Sequence, residues 1–135
     1  MNMKVGYVHK RTAATSYYCN YLMKQGVEEV IVDNGNHELL SDLLNRMQPG
    51  DSFHVLGYDH ISRNLNKLKE ILETLYQNGI LLFINGYYID FDDPLMQLEL
   101  ENYFQRTRQN AKDMLAMLED MKALREQRKK KKAGE

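Results

Sequence analysis

The sequence predicts an α/β protein with a mainly parallel sheet of four to five strands and flanking helices, followed by one long C-terminal helix. Two observations lead to this prediction. Short β-branched and aromatic runs alternate with helical stretches through residue 90, which is the pattern of a parallel sheet covered on both faces. From Pro94 to about Arg128 the chain then contains no Gly and no further Pro, so a single helix is expected there.

The first half of the chain contributes three strands and two helices. β-branched and aromatic residues cluster in three short runs, which we predict as strands: residues 4–8, 30–32 and 53–56. Apolar residues recur at helical spacing between them, over residues 13–25 and 38–47. Gly26 ends the first helix, and the Pro-Gly-Asp turn at 49–51 ends the second. Residues 9–12 follow the first strand directly, at the edge where open α/β sheets place their chemistry.

A third helix and one or two strands complete the predicted sheet. The polar segment 57–64 opens this helix, whose apolar residues share a three- and four-residue spacing: Leu65, Leu68, Ile71, Leu72 and Leu75. Gly79 ends it. Residues 80–84 are predicted as a fourth strand, and residues 87–90 as a short fifth.

The long C-terminal helix predicts a dimer. Pro94 suits its first turn and Asp92 or Asp93 its N-cap. Apolar and small residues then follow in alternating steps of four and three: Leu100, Phe104, Thr107, Ala111, Met114, Leu118 and Met121. This is the seam of a helix that packs along a partner helix. A helix of about 35 residues is ~50 Å long, too long to bury that seam on its own domain, so we expect a homodimer along it.

Charge is distributed unevenly along the chain. The net charge is −1, yet residues 122–135 contain seven Lys or Arg and two Glu. Such a basic block either keeps a protein soluble or contacts the phosphates of nucleic acid. We therefore divide the chain into a domain of residues 1–93, a dimerisation helix of the same domain over 94–128, and a disordered basic tail over 129–135. The candidate DNA-binding residues are Arg125, Arg128, Lys129, Lys130, Lys131 and Lys132.

Cysteine content and hydropathy bear on the compartment. The single cysteine, Cys19, excludes an internal disulfide framework and fits a reducing cytoplasm. No apolar run approaches the ~18 residues of a membrane span, and the amino terminus lacks the apolar core of a signal peptide. These features predict a soluble cytoplasmic protein without a membrane partner.

Several ordered motifs resemble the catalytic domain of the serine recombinases, the resolvase and invertase family. They span residues 3 to about 125: MKVGYV at 3–8, IVD at 31–33, LLNRMQPGD at 43–51, YDHISRN at 58–64 and LETLYQNGI at 72–80, followed by the long helix. The resemblance implies a parallel α/β sheet followed by a dimerisation helix. It also implies DNA cleavage and rejoining through a serine ester with phosphate, in dimers and then tetramers encoded on mobile genetic elements.

The resemblance also assigns the pocket, and most of its residues are altered here. The family places a nucleophilic Ser, an Asp and four Arg at positions that in this sequence read His9, Arg11, His37, Asp59, His60 and Arg63. Only Asp59 and Arg63 keep the family's residue. Arg11 occupies the serine position, and a guanidinium is no nucleophile. Thr12 and Ser16 are the nearest hydroxyls, but in-line attack tolerates little misplacement. We expect a vestigial pocket with no intact catalytic residue.

The histidines have an alternative explanation. The resemblance would bring His9, His37 and His60 into one cleft beside Asp59, where imidazole and carboxylate could bind a metal. No tight ligand spacing supports such a site, so the simpler interpretation is that small polar groups replaced arginines. No metal and no cofactor is expected. His54 lies within the third strand and is expected to be a satisfied strand histidine.

Three functional hypotheses follow from the sequence. The first is a catalytically inactive resolvase-like protein, a dimer or tetramer, that binds DNA through its basic tail or regulates recombination by pairing with an active recombinase. The second is an active recombinase or nicking enzyme that uses a displaced nucleophile. The third is a protein scaffold with no role on DNA. The helix-turn-helix domain that accompanies this domain in the family is not found in these 135 residues, so reading of base sequence is not expected.

Overall fold

The computed structural model describes residues 2–10, 14–33 and 37–133. Strands and helices alternate as the sequence predicts, and the α/β class with flanking helices is confirmed. The elements are β1 (Lys4–His9), α1 (Thr15–Lys24), β2 (Glu29–Asp33), α2 (Glu38–Arg46), β3 (Ser52–Val55), a 3₁₀ turn (Tyr58–His60), α3 (Leu65–Gln77), β4 (Leu81–Ile84), β5 (Tyr87–Ile89) and α4 (Pro94–Ala133).

The five strands form one mostly parallel sheet in the order β2-β1-β3-β4-β5. β1 pairs in parallel with β2 and β3, and β3 pairs in parallel with β4. β5 runs antiparallel to β4, and Ile84 pairs with Tyr87. The two residues between them, Asn85 and Gly86, have φ values of 49° and 83°. Positive φ at both central positions defines the tight hairpin turn that Asn-Gly favours.

The chain reverses its direction of travel across the sheet at β1. The connection from β1 leads to one neighbour, β2, whereas the later connections lead through β3 to β4 on the other side. Right-handed crossovers therefore place α1 on one face of the sheet, and α2 and α3 on the other. Such a reversal opens a crevice between the carboxyl ends of the two strands involved. Here these ends belong to β1 and β3.

Both faces of β1 are buried. On the α1 face, Val8 packs with Leu22 and Val27, and partly buried side chains surround this cluster: Tyr18, Cys19, Val30 and Leu56. On the other face, Tyr7 of β1 and Phe53 of β3 are fully buried, with ring centroids 5.7 Å apart. A strand with no exposed face explains the near-continuous apolar run that begins the sequence.

Asp51 fixes the turn that leads into β3. Its Oδ2 accepts a hydrogen bond from the Gln48 amide at 2.7 Å, and its Oδ1 accepts one from the Met3 amide at 2.8 Å. Both hydrogen bonds lower the pKa of the Asp51 carboxyl, and the bond from the Gln48 amide has the larger effect. The carboxylate thus ties the start of β1 to the turn before its neighbouring strand.

The segment between β3 and α3 contains one irregular turn and one helix cap. The sequence predicts a polar opening to the helix over residues 57–64, and the structure divides it into the 3₁₀ turn and a separate cap. Asn64 is the N-cap of α3, and its Oδ1 accepts a hydrogen bond from the Lys67 amide at 3.1 Å. An N-cap side chain of this kind satisfies one of the backbone amides that the first helical turn leaves unpaired.

From Asp93 onward the chain forms a second compact unit, separate from residues 1–92. Asp93 caps α4 as predicted, because its Oδ1 accepts a hydrogen bond from the Leu95 amide at 3.0 Å. Helical backbone continues to Ala133, beyond the predicted end near Arg128, and the disorder predicted for residues 129–135 stays a prediction. Lys and Ala are good helix formers, and cations near a helix C-terminus interact favourably with its dipole.

The predicted seam of α4 changes exposure along its length. Leu100, Phe104 and Thr107 are half-buried, whereas Ala111, Leu118 and Met121 are exposed. The helix is 40 residues long, about 60 Å at 1.5 Å per residue. None of the helices in the described part of the chain is both long and apolar enough to cross a membrane.

Gly6 of β1 offers a test of the packing between α1 and the sheet. A Cβ at this position would lie 3.2 Å from Cδ1 of Leu22, 3.3 Å from Cγ2 of Val30 and 3.4 Å from Cγ2 of Val27. We expect Gly6→Val to lower the free energy of unfolding by about 1–3 kcal/mol in urea denaturation, because the larger side chain overpacks this space.

The paired control for Gly6→Val is Val30→Ala, which removes one of the crowding methyl groups. The double variant should lose less stability than the sum of the two single variants, because the two side chains compete for one space. Strict additivity, or an unchanged stability of Gly6→Val, would contradict this packing.

Candidate functional site

The site lies at the carboxyl ends of β1 and β2, beside the crevice. Tyr7 and His9 are two residues apart on β1 and therefore point to the same face of the sheet. Asp33, the last residue of β2, is the register partner of His9. All three are buried, and Asp33 is only 1% exposed. Parallel pairing thus brings a phenol, an imidazole and a carboxyl group together from two strands.

Asp33 holds this cluster together. Its Oδ2 accepts a hydrogen bond from the Tyr7 hydroxyl at 2.9 Å and a second from the Leu40 amide at 3.0 Å. Leu40 lies in the first turn of α2, where backbone amides have no partner within the helix and the helix dipole favours a negative group. One carboxyl oxygen therefore joins β1, β2 and α2.

Tyr7 retains its phenolic proton strongly. Burial raises the pKa of the Tyr7 hydroxyl far above its usual range, and the hydrogen bond to Asp33 and the nearby carboxyl charge raise it further. A phenolate at this position would be cut off from water and would lie next to the negative charge of Asp33, and both effects are unfavourable. Tyr7 is therefore a fixed hydrogen-bond donor in this cluster.

His9 and His37 converge on one backbone carbonyl. The Nε2 atoms of His9 and His37 lie 3.1 Å and 2.9 Å from the Ile61 oxygen, and the two ring centroids are 4.7 Å apart in a T-shaped arrangement. A carbonyl oxygen can only accept, so each Nε2 carries the proton in these bonds. Ile61 directly follows the 3₁₀ turn, so the two imidazoles hold that turn against the sheet.

His37 adopts a backbone conformation that few residues with a side chain accept. It occupies the N-cap position of α2 with φ 59° and ψ 20°, in the left-handed region. His is one of the residue types enriched there, although the conformation carries a cost. The hydrogen bond to the Ile61 oxygen compensates part of it, and the left-handed turn aims the ring at the crevice.

Two of the three predicted pocket histidines meet at the crevice: the ring centroids of His9 and His37 are 4.7 Å apart. The His60 ring packs against Tyr18 of α1, with centroids 5.0 Å apart, and Tyr18 packs against the cluster of Val8, Leu22 and Val27. Val8 points to the opposite face of the sheet from its neighbours Tyr7 and His9. His60 therefore has a contact with the side chains of the α1 face.

The remaining predicted pocket residues are either exposed or lie outside the described residues. Asp59 and Arg63 are exposed, on the 3₁₀ turn and on the segment that follows it. Arg11 and Thr12 lie outside the described residues, and Ser16 is an exposed residue of α1. Within the described ranges, no three His, Cys, Asp or Glu side chains are arranged to hold a metal ion.

Sequence reasoning missed two members of the cluster, Tyr7 and Asp33. Asp33 falls within the IVD motif, but its role depends on contacts with residues 26 positions earlier and seven positions later. The available signal was a carboxyl residue that ends a β-branched strand just before a helix, which is a common partner for unpaired helix amides. Tyr7 carried no signal beyond its strand pattern.

His54 on β3 is only half satisfied, although the sequence predicts a satisfied histidine. Its Nε2 lies 2.8 Å from the Ser52 hydroxyl, and its ring stacks on Phe83 with centroids 4.6 Å apart. Its buried Nδ1 has no hydrogen-bond partner among the described residues. Burial lowers the pKa of His54, and the Lys4 charge lowers it further.

Comparisons with known proteins do not identify a family. No family model matches the chain, and no curated protein matches it significantly. The motifs that resemble the serine recombinases therefore stay a prediction from the sequence, and what they imply about function is a proposal.

The bond between Tyr7 and Asp33 predicts a specific cost for Tyr7→Phe. This change leaves a buried carboxyl with one donor fewer, so we expect the free energy of unfolding to fall by about 1–3 kcal/mol in urea denaturation. Alkaline titration of phenolate absorbance gives a second measurement. Because the raised pKa keeps Tyr7 protonated while the protein is folded, Tyr7→Phe should leave the amplitude near pH ~10 unchanged.

The matched control is Tyr87→Phe. Tyr87 is 75% exposed on β5, so removal of its hydroxyl should leave the free energy of unfolding almost unchanged. Equal stability of Tyr7→Phe and the unchanged protein, or a loss of phenolate amplitude near pH ~10 in Tyr7→Phe, would contradict the bond from Tyr7 to Asp33.

His54 predicts a contribution to the pH dependence of stability. Its pKa is lowered in the folded state, so between that pKa and about 6.5 the unfolded chain binds more protons than the folded one. Stability should therefore fall as the pH decreases through this window. His54→Gln removes the proton uptake, and the slope of unfolding free energy against pH should become shallower by up to about 1.4 kcal/mol per pH unit.

Lys4→Gln provides a comparison within the same window. Removing the nearby charge raises the folded-state pKa of His54. The lower limit of the pH range in which stability falls should therefore move upward, towards about 6.5. Identical slopes for the unchanged protein and His54→Gln in urea denaturation at several pH values would contradict a lowered pKa for this histidine.

Proposed function

We propose that this protein is a resolvase-like, catalytically inactive DNA-binding factor that acts as a dimer, either alone on DNA or paired with an active recombinase. The observation that carries the proposal is the arrangement of His9 and His37 on the Ile61 carbonyl. Side chains at two positions where the resemblance expects phosphate-binding arginines are engaged in holding the protein's own backbone.

The chemistry of phosphoryl transfer supports the loss of catalysis. That reaction needs an oriented hydroxyl and a cluster of cations that stabilise the charge on the phosphate oxygens. Arg11 occupies the serine position of the motif. Imidazole is a weaker anion ligand than guanidinium, which grips phosphate with two parallel hydrogen bonds and stays charged at all relevant pH values.

The exposed half of α4 supports a dimer. Beyond Thr107 the described side chains of this helix are exposed, and they include several large apolar residues: Leu115, Met117, Leu118, Met121 and Leu124. A continuous apolar stripe on a helix surface marks an interface, because leaving it in water is unfavourable. A second copy of the same helix offers a self-complementary surface that can bury it.

The C-terminal end of α4 supports contact with DNA phosphates. Beyond Met121, the steps of four and three that define the seam lead to Arg125 and Arg128, so the seam changes from apolar to basic. Lys129 and Lys130 are exposed beside them, and Lys131 and Lys132 lie in the same helix. Two such ends repel each other within a dimer, and the phosphates of a nucleic acid can neutralise them.

Binding to duplex DNA at several salt concentrations tests this proposal. We expect a gel shift at low salt that weakens steeply as salt rises. In the triple variant Arg128→Gln, Lys129→Gln and Lys130→Gln, the slope of log K against log salt should become shallower by roughly 0.9 for each phosphate that the variant no longer neutralises. The control variant Arg46→Gln with Lys69→Gln removes exposed charges of α2 and α3 and should retain the original slope.

Denaturing gels of the same mixtures test the loss of catalysis. We expect no covalent adduct between protein and DNA, on a nicked suicide duplex as well as on an intact one. An adduct abolished by Thr12→Ala or Ser16→Ala would establish a displaced nucleophile and overturn the proposal. Equal salt slopes for the triple variant and the unchanged protein would exclude the basic end of α4 as the DNA contact.

A further inference from the structure

The outer face of α1 carries an aromatic surface that plays no part in the cluster of Tyr7, His9 and Asp33. Tyr17 and Tyr21 are 65% and 39% exposed, one helical turn apart, and Tyr18 lies between them in the sequence. We call these three residues the tyrosine patch. Exposed aromatic groups in a continuous arrangement mark binding surfaces, because they offer a large contact area at a low cost in side-chain entropy.

Ring contacts hold the tyrosine patch in place. Tyr17 and Tyr21 stack with centroids 6.4 Å apart and planes inclined by 29°, and Tyr17 meets Tyr18 at 6.0 Å. Tyr18 is half-buried, packs against the core cluster and contacts the His60 ring at 5.0 Å. The patch therefore has a fixed base in the core and two outward rings that support each other.

Exposed polar side chains that can donate hydrogen bonds alternate with the tyrosines along α1. Ser16, Asn20 and Lys24 are exposed on the same helix, each four residues from the next. A hydroxyl, an amide and an ammonium group are all donors that proteins use to contact phosphate. This face of α1 therefore combines flat aromatic rings with phosphate-binding groups.

The segment of the chain that carries the patch differs in charge from the segment that follows it. Residues 1–27 contain four basic residues and no Asp or Glu, whereas residues 28–121 contain seven basic and 17 acidic residues. Lys24 is exposed on the same helix as the patch, and no acidic residue lies on that helix. An aromatic helix face with a cation and no anion favours a polyanion with flat groups over an acidic protein.

We propose that the tyrosine patch binds single-stranded DNA, with bases stacked on Tyr17 and Tyr21 and phosphates contacted by Lys24, Asn20 and Ser16. Stacking platforms flanked by cations are how proteins hold unpaired strands without reading their sequence. A duplex does not fit this surface equally well, because its bases are stacked on each other and only their edges are accessible in the grooves. This site shares no residue with the basic end of α4.

Binding of a labelled oligo-dT strand, measured by fluorescence anisotropy, tests this site. The strand has about 12 nucleotides, and the protein carries Arg128→Gln, Lys129→Gln and Lys130→Gln so that the end of α4 contributes less. Adding Tyr17→Ala and Tyr21→Ala should weaken binding by about tenfold or more, because base stacking on each ring is removed. The matched control Tyr87→Ala removes a 75% exposed tyrosine of β5 and should change affinity less than twofold.

Two further measurements separate stacking from simple charge attraction. The protein contains no Trp, so its emission reports on tyrosine, and dT binding should quench it in the unchanged protein but much less in the Tyr17→Ala, Tyr21→Ala variant. An abasic strand of equal length and charge should bind about as weakly to the unchanged protein as dT binds to that variant.

Several outcomes would overturn the proposal. The first is equal affinity for the dT and abasic strands. The second is an unchanged dT affinity in the Tyr17→Ala, Tyr21→Ala variant, provided that its circular dichroism shows a retained fold. The third is tighter binding of duplex DNA than of dT. Failure here is distinguishable from failure of the duplex-binding function, because the salt slope set by the end of α4 is measured on the protein with its tyrosine patch intact.

Discussion

The carboxyl group of Asp33 is the interaction on which the geometry of this fold's functional edge depends. It ends β2, lies beside His9 of β1 in the parallel register, and accepts hydrogen bonds from the Tyr7 hydroxyl and the Leu40 amide. Loss of either donor, or of the carboxyl that accepts from them, would leave a buried polar group unpaired, at a cost of about 1–3 kcal/mol in the free energy of unfolding. Asp33 therefore fixes how α2 begins relative to the central strand.

The polar side chains that converge at the crevice form hydrogen bonds within the protein itself. The start of α2 aims His37 at the Ile61 oxygen, where it meets His9 arriving from β1. A crevice at a reversal of strand order is a usual place for ligand chemistry in α/β proteins. Here the converging side chains hold the 3₁₀ turn to the sheet, and the residues that we propose for nucleic-acid contact belong to α1 and α4.

Much of the fold could be predicted because its signals are local. The alternation of strands and helices, the cap at Asp93 and the stops at Gly26 and Gly79 each depend on residues a few positions apart. The end of α4 was placed too early because a lysine run carries two opposing signals, helix propensity and like-charge repulsion. The direction of β5 was left open in the prediction, although Asn85-Gly86 carries the signal of an antiparallel hairpin.

The sequence by itself determined the α/β class, the long helix with its apolar-to-basic seam, and the resemblance in which Arg11 takes the place of a serine. Only the tertiary structure decided that His9 pairs with His37 while His60 turns to Tyr18, and that Asp33 binds Tyr7 and Leu40. The physical reason is that these contacts depend on strand register and on which face of the sheet each residue points to. A one-residue change in register would exchange the two faces, and residues far apart in the chain carry no local mark of that choice.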